Sequence, residues 1–307
     1  MEVSEQIENP IKIKHIVCSG GGITGFSFYG ILRESNKAGI WHIDDIETIY
    51  GTSVGSIIAI MLTLNYEWDI MDDFLIKRPW QHVFSFNMYS ILESLNKRGI
   101  FDIKTIEETF LPLFNGKEIS IDITMQEFFE LTKKEIHIFS TEINTLEIVD
   151  ISYKTHPSWR VVDAVYASSA LPVIFAPYLC EDKCYCDGGF LLNYPLSECL
   201  KHHNAEEILG ITRTSVMDYS TNEMDQIEIN KQSTVSNTST LLDYIMIIFN
   251  KLMKLILKYN TIDIKHEYIV YSPPLSIFNI YNATTSVEER VKLIEIGSNK
   301  FQSNYST

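Results

Sequence analysis

The 307-residue chain is short of positive charge, of cysteine and of long uninterrupted apolar runs, and each shortage excludes something. Lysine and arginine number 25 against 40 aspartate and glutamate, a net charge of −15 with histidine neutral. A field of that sign repels phosphate backbones, so no nucleic-acid partner is expected. Nor can it supply bulk attraction to an anionic membrane, although net charge says nothing about local patches. The five cysteines are Cys18, Cys180, Cys184, Cys186 and Cys199, an odd set that reads as reduced thiols. Cys180, Cys184 and Cys186 crowd together, but without a second paired knuckle their spacing is not a usual zinc pattern, and no metal is expected. The acidic start, Met1 to Pro10, lacks the basic stretch and apolar run of a secretory leader. No stretch is apolar and charge-free for long enough to cross a bilayer. An intracellular location, cytoplasmic or peripheral to a membrane, is the expectation. Internal repeats at solenoid periods are also missing.

What is present is globular in composition, with 45% hydrophobic and 21% charged residues. His15 to Cys18 is a short apolar run that meets Gly20-Gly21-Gly22, and Gly25 to Lys37 has helical apolar spacing that stops at Gly39. Ile46 to Tyr50 reads as a second strand running into Gly51-Thr52-Ser53-Val54-Gly55, and Ser56 to Leu64 as a buried helix. Strand, helix, strand, helix implies an α/β fold with a parallel sheet. Further helical patterns cover 68–77, 89–95, 102–114 and 160–169, and another opens at Thr124 with Glu127 completing a capping box. Strands are expected over 135–140, 146–151, 184–187 and 208–212.

Ser215 to Thr240 is polar and reads as a long loop or linker. Residues 1–13 then form a tail, 14–212 the main domain, 213–240 the polar loop and 241–307 a helical C-terminal extension packed on the domain. Within the extension, Leu241 to Leu257 is apolar but for Asp243, Asn250, Lys251 and Lys254, which with Lys258 share one helical face. The apolar face can pack on the core, the commoner use of such a helix, or lie in a membrane interface. The aromatic segment Pro79 to Phe86 poses the same choice between a packed loop and a lipid contact.

Gly51-Thr52-Ser53-Val54-Gly55 is the strongest local signal. Between a strand and a helix, Gly-x-Ser-x-Gly forces the serine onto a tight turn that exposes its Oγ. The plain alternative is a glycine turn with a capping serine. The Gly20-Gly21-Gly22-Ile23-Thr24-Gly25 loop leaves a run of unshielded N–H groups, either a dinucleotide cradle or an oxyanion hole. A dinucleotide site wants a carboxylate at the end of the second strand, where this chain has the serine turn, so the oxyanion hole is preferred. For a base, His202, His203 and His266 come late in the chain but in no turn suited to holding an imidazole against Ser53. Asp187, followed by Gly188 and Gly189 at a strand end, is the better candidate, although Asp-Gly also favours a simple hairpin turn.

Together these blocks resemble the patatin-like phospholipase family, over roughly Lys14 to Thr212. The resemblance rests on the glycine loop, the Gly-x-Ser-x-Gly turn, the Asp187-Gly188-Gly189 turn and the Ala167 to Pro177 block in that family's order. It implies a three-layer α/β/α fold with a central, mostly parallel sheet. It also implies a lipid acyl hydrolase of phospholipase A type, with a Ser53–Asp187 dyad and no histidine or cofactor. Gly21 and Gly22 would donate to the oxyanion, with Gly20 and Gly25 shaping the loop. A lipid or phospholipid substrate and peripheral membrane contact follow. One departure is Ser19, where many members carry Asp, expected to alter loop packing more than chemistry. The rivals are a soluble α/β-hydrolase-type esterase with a Ser-His-Asp triad, and a catalytically silent lipid-binding module.

Overall fold

Strands β1 (His15–Cys18) and β2 (Thr48–Thr52) are buried along their whole length, as apolar strands covered on both faces must be. The computed structural model describes residues 11–85, 96–214, 234–237, 239–256, 264–272 and 276–305. The remaining strands are β3 (Gly99–Phe101), β4 (Glu135–Glu142), β5 (Glu147–Ile151), β6 (Val173–Phe175), β7 (Tyr178–Cys180), β8 (Lys183–Asp187), β9 (Ile208–Thr214) and β10 (His266–Tyr271). The central sheet runs β10-β9-β1-β2-β4-β8-β7, with β5 on β4, and β3 pairs separately with β6. Pairing is parallel from β10 to β4, while β8, β7 and β5 are antiparallel.

Alternation along the strands separates two apolar layers. Ile16, Cys18, Ile49, Ile138, Leu209 and Ile211 belong to the larger cluster, which they share with α1 (Gly25–Lys37), α2 (Val54–Thr63) and the Val161–Ser169 helix. Val17, Tyr50, Phe139 and Ile208 belong to a smaller cluster with Leu196 and Cys199 of a short helix. The fold is therefore the three-layer α/β arrangement expected. The Thr124–Glu127 capping box is present, and helix α3 (Trp68–Lys77) has the bounds read from sequence. The helix expected over 89–95 lies outside the described residues, as does most of the polar stretch from Ser215 to Thr240.

The C-terminal extension is helical in the main, and the strand read from sequence after Lys265-His266-Glu267 is present in it. Besides helices Leu241–Ile256, Ile277–Thr285 and Val287–Tyr305 it supplies β10, an edge strand parallel to β9. Helix Val287–Tyr305 lies on α1 so closely that a Cβ on Gly297 would enter the Ser27 carbonyl oxygen. Ser27 Oγ meanwhile donates to the Leu293 carbonyl at 2.7 Å. Arg290, 2% exposed, donates to the carbonyls of Ile76, Ala283 and Thr284. Its charge is buried on helix ends whose last carbonyls need donors.

The choice posed for Pro79 to Phe86 resolves as packing where it is described. Trp80 is buried and donates its Nε1–H to the Leu75 carbonyl at 2.9 Å, and Phe84 packs edge-on against Phe101. Phe86 lies outside the described residues. The apolar residues of the Leu241–Ile256 helix divide between core and surface. Met246 and Ile247 are buried, but Leu241, Ile245, Ile248 and Leu252 are exposed.

Candidate active site

Sheet register brings the site together. Cys18 pairs with Gly51, so the glycine loop after β1 and the serine turn after β2 leave the sheet side by side. Thr52 pairs with Phe139, and the next residue of β4, Ser140, pairs with Asp187 at the end of antiparallel β8. Residues far apart in the chain thus meet at one end of the sheet, outside the carboxyl ends of the parallel strands, where open α/β sheets place their sites.

Ser53 holds φ 55° and ψ −124°, outside the conformations an L side chain prefers. Such a conformation costs about 1–3 kcal/mol and persists only where its surroundings over-determine it. Here the Ser53 N–H donates to Ser168 Oγ at 2.8 Å, and Ser168 Oγ donates on to the Phe139 carbonyl at 2.5 Å. Ser56 Oγ and the Ser56 N–H both bond the Ser53 carbonyl. Close approach dictates the flanking glycines. A Cβ on Gly55 would collide with the Cys18 carbonyl oxygen, and one on Gly188 with the Phe139 carbonyl oxygen. Thr52 Oγ1 donates to the Leu192 carbonyl at 2.9 Å, and Val54 packs where a Cβ on Gly25 would stand.

Ser53 Oγ donates to Asp187 Oδ2 at 2.6 Å. The other carboxylate oxygen, Oδ1, accepts the Gly189 N–H at 2.7 Å. Burial pushes the Asp187 carboxyl up to about 6, against the opposing pull of the Ser53 hydroxyl, the Gly189 N–H and the charge of Arg213. A carboxylate near neutrality is a far better proton acceptor than an ordinary aspartate. None of the three late histidines lines the cavity beside Ser53. His203 stacks on His15 with ring centroids 3.7 Å apart and shares a hydrogen bond with the Tyr50 hydroxyl, and His266 opens β10.

The four loop glycines divide. Gly21, Gly22 and Gly25 line the cavity, and among the described residues no backbone carbonyl engages the Gly21 or Gly22 N–H. Gly20 instead donates its N–H to the Asn193 carbonyl at 2.9 Å, and Gly25 donates back to the Gly22 and Ile23 carbonyls. Both therefore shape the loop and offer no donor to a ligand. Ser19 is fully buried, with its hydroxyl on the Gly20 carbonyl, a packing role.

The cavity has a volume of about 520 Å³, within the range of small-molecule sites. Ser53, Asp187, Gly21 and Gly22 stand on its wall, with Arg213 as a cation, while Phe26, Ile57, Met61, Leu171 and Phe175 make much of the rest apolar. Among the described residues no cluster of three or more His, Cys, Asp or Glu side chains could hold a metal, and the five cysteines are free. Sequence reasoning missed Ser168 and Asn193. Ser168 lay within a recognisable small-residue block, while nothing local to Asn193 signals a bond across to the glycine loop.

The family model for patatin-like phospholipase matches residues 16–200, a span that includes the glycine loop, Ser53 and Asp187. This chain belongs to the patatin-like phospholipase family. A probable lipid hydrolase of Invertebrate iridescent virus 6 is 29% identical over 64% of this chain and 66% of its own. The cGAMP-activated phospholipase of Vibrio cholerae is 24% identical over 62% of this chain and 57% of its own. The crystal structure of VipD from Legionella pneumophila shares the fold, with a TM-score of 0.54 and 16% identity, over 95% of this chain and 66% of that one. The patatin-like chain thus spans less than two thirds of the length of these relatives. Among its described residues no helix is long and apolar enough to cross a membrane.

Proposed function

We propose that this protein hydrolyses fatty-acyl esters of phospholipids or related lipids, as a phospholipase A type enzyme. The observation that carries the reading is the 2.6 Å hydrogen bond from Ser53 to a buried Asp187 on the wall of a largely apolar cavity. The names of its relatives, a probable lipid hydrolase and a phospholipase, support the same substrate class.

Ser53 Oγ attacks the ester carbonyl carbon while its proton passes to Asp187 Oδ2. The carbonyl oxygen becomes an oxyanion and takes the Gly21 and Gly22 N–H groups, which would act most strongly in a site closed to water. As the tetrahedral intermediate collapses, Asp187 returns the proton to the departing alcohol oxygen, leaving an acyl-serine. A water then gives its proton to Asp187 and attacks the acyl carbon, and the fatty acid leaves as Ser53 recovers the proton. No step asks for a histidine or a metal.

The test is fatty-acid release from phosphatidylcholine in mixed micelles, with position-labelled acyl chains to identify the bond cut. Ser53→Ala and Asp187→Asn should each lower kcat/KM by about 10³-fold or more with the fold intact. Turnover retained in either folded variant would remove the dyad.

A further inference from the structure

The Leu241–Ile256 helix carries apolar side chains on two opposite sides, one buried and one exposed. On one, Met246 and Ile247 are buried, Met246 packs with Phe101 and Ile174, and half-buried Asn250 lines the cavity. On the other, Leu241 is 74% and Leu252 51% exposed, and Ile245 and Ile248 are exposed too. At about 100° per residue those four fall within a stripe about 60° wide, on the side away from Asn250, with exposed Tyr244 at its margin. The neighbouring Ile277–Thr285 helix repeats the arrangement: Ile280, Ala283 and Thr284 line the cavity, while Phe278, 64% exposed, and Tyr281 face outward. Ile277 and Ile280 also pack on the cluster that contains Met246, so the two helices share one inner support.

Clustered exposed apolar surface of this kind marks an interaction site. We propose that the outward faces of these two helices seat the protein on a zwitterionic lipid surface. The choice of occupant rests on the lipid hydrolase reading, because the same helices wall, from inside, the cavity that would take the acyl chain. Lipid would then meet the outer side of two helices that wall the cavity. The aromatic rings of Tyr244, Phe278 and Tyr281 suit the boundary between acyl chains and headgroups. Charge narrows the lipid class. A net charge of −15 supplies no bulk attraction to anionic headgroups, and exposed Lys251 lies off the apolar stripe, so apolar burial is taken as the main force.

The experiment is flotation with phosphatidylcholine vesicles, using full-length Ser53→Ala protein so that the vesicles stay intact. This protein should float with the vesicles. Adding Ile245→Glu, Ile248→Glu and Phe278→Glu should lower the partition coefficient about ten-fold or more, and Leu252→Glu alone should lower it measurably. Raising salt from about 0.05 to about 0.5 M should change binding by no more than about two-fold. In the active protein the same triple variant, folded by circular dichroism, should cleave a water-soluble short-chain ester at the parental kcat/KM while vesicle hydrolysis falls with binding. Unchanged flotation of the folded variants would overturn the proposal, as would binding that needs anionic lipid and is lost at high salt. A dimer that the triple variant dissociates, with no vesicle binding by the parent, would assign the faces to a second copy and overturn it too. Flotation decides the docking face even if no ester is cleaved, so the two readings fail separately.

Discussion

Burial and hydrogen bonding act on Asp187 in opposite directions, and burial wins: its carboxyl titrates near 6. The unfolded chain would hold that proton only to about 3.9, so the folded state binds it more tightly between those values. Asp187 therefore favours the fold below about pH 4, and that contribution is lost as pH rises through about 6. Above that range its ionised form, buried in an apolar wall, costs the fold about 3 kcal/mol. Asp187→Asn should thus stabilise the protein by about 1–3 kcal/mol near pH 8, with the difference vanishing towards about pH 4. Urea denaturation at the two pH values checks this, and a destabilised variant at the higher pH would contradict it. If Asp187 is the base, kcat/KM should rise through about pH 6 and then level off, because only the carboxylate accepts the Ser53 proton. A rate that keeps falling above that range would assign the base elsewhere. At this scale the candidate site was legible wherever it sat in a local motif, as with Ser53, Asp187, Gly21 and Gly22, which the structure brings to one cavity wall. Ser168 and Asn193 act only through bonds across the fold, to the Ser53 N–H and the Gly20 N–H, which no local pattern encodes.

Among the elements, what periodicity reports is local, and it served well for α1 and α3, whose observed bounds match the apolar spacing. Strand partners are not local. That β8 runs antiparallel beside β4, which delivers Asp187 to the level of Ser53, is a property of the sheet and not of the Lys183–Asp187 stretch. The same holds for β10: a strand after His266 is readable, but that it pairs with β9 is not. The Leu241–Ile256 helix shows the converse. Its amphipathic pattern was visible, but the direction of the apolar face depends on what the polar face meets, here a cavity wall at Asn250. The contact between α1 and the Val287–Tyr305 helix yields a test of how far the C-terminal stretch belongs to the fold. Gly297→Leu gains about 1 kcal/mol or less of helix propensity but drives a side chain into the Ser27 carbonyl, so a net loss of at least about 2 kcal/mol is expected. A urea midpoint equal to that of the parent would show that the helix is dispensable to the fold.

Taken whole, the molecule is an acidic α/β protein whose cavity holds the catalytic candidates on its strand-end turns and is walled elsewhere by two helices with exposed apolar stripes. Acidity opposes a phosphate-backbone partner more than it opposes lipid, because an apolar contact with a zwitterionic surface needs no attraction at long range. The proposed chemistry needs only the nucleophile that a strained turn exposes, a buried base and the free N–H groups of a glycine loop. The most direct measurement is covalent labelling with a lipid-like fluorophosphonate followed by peptide mass spectrometry. The account predicts a single adduct on the peptide that carries Ser53, absent in Ser53→Ala and formed more slowly in Asp187→Asn. An unlabelled folded protein, or an adduct on any other residue, would contradict it.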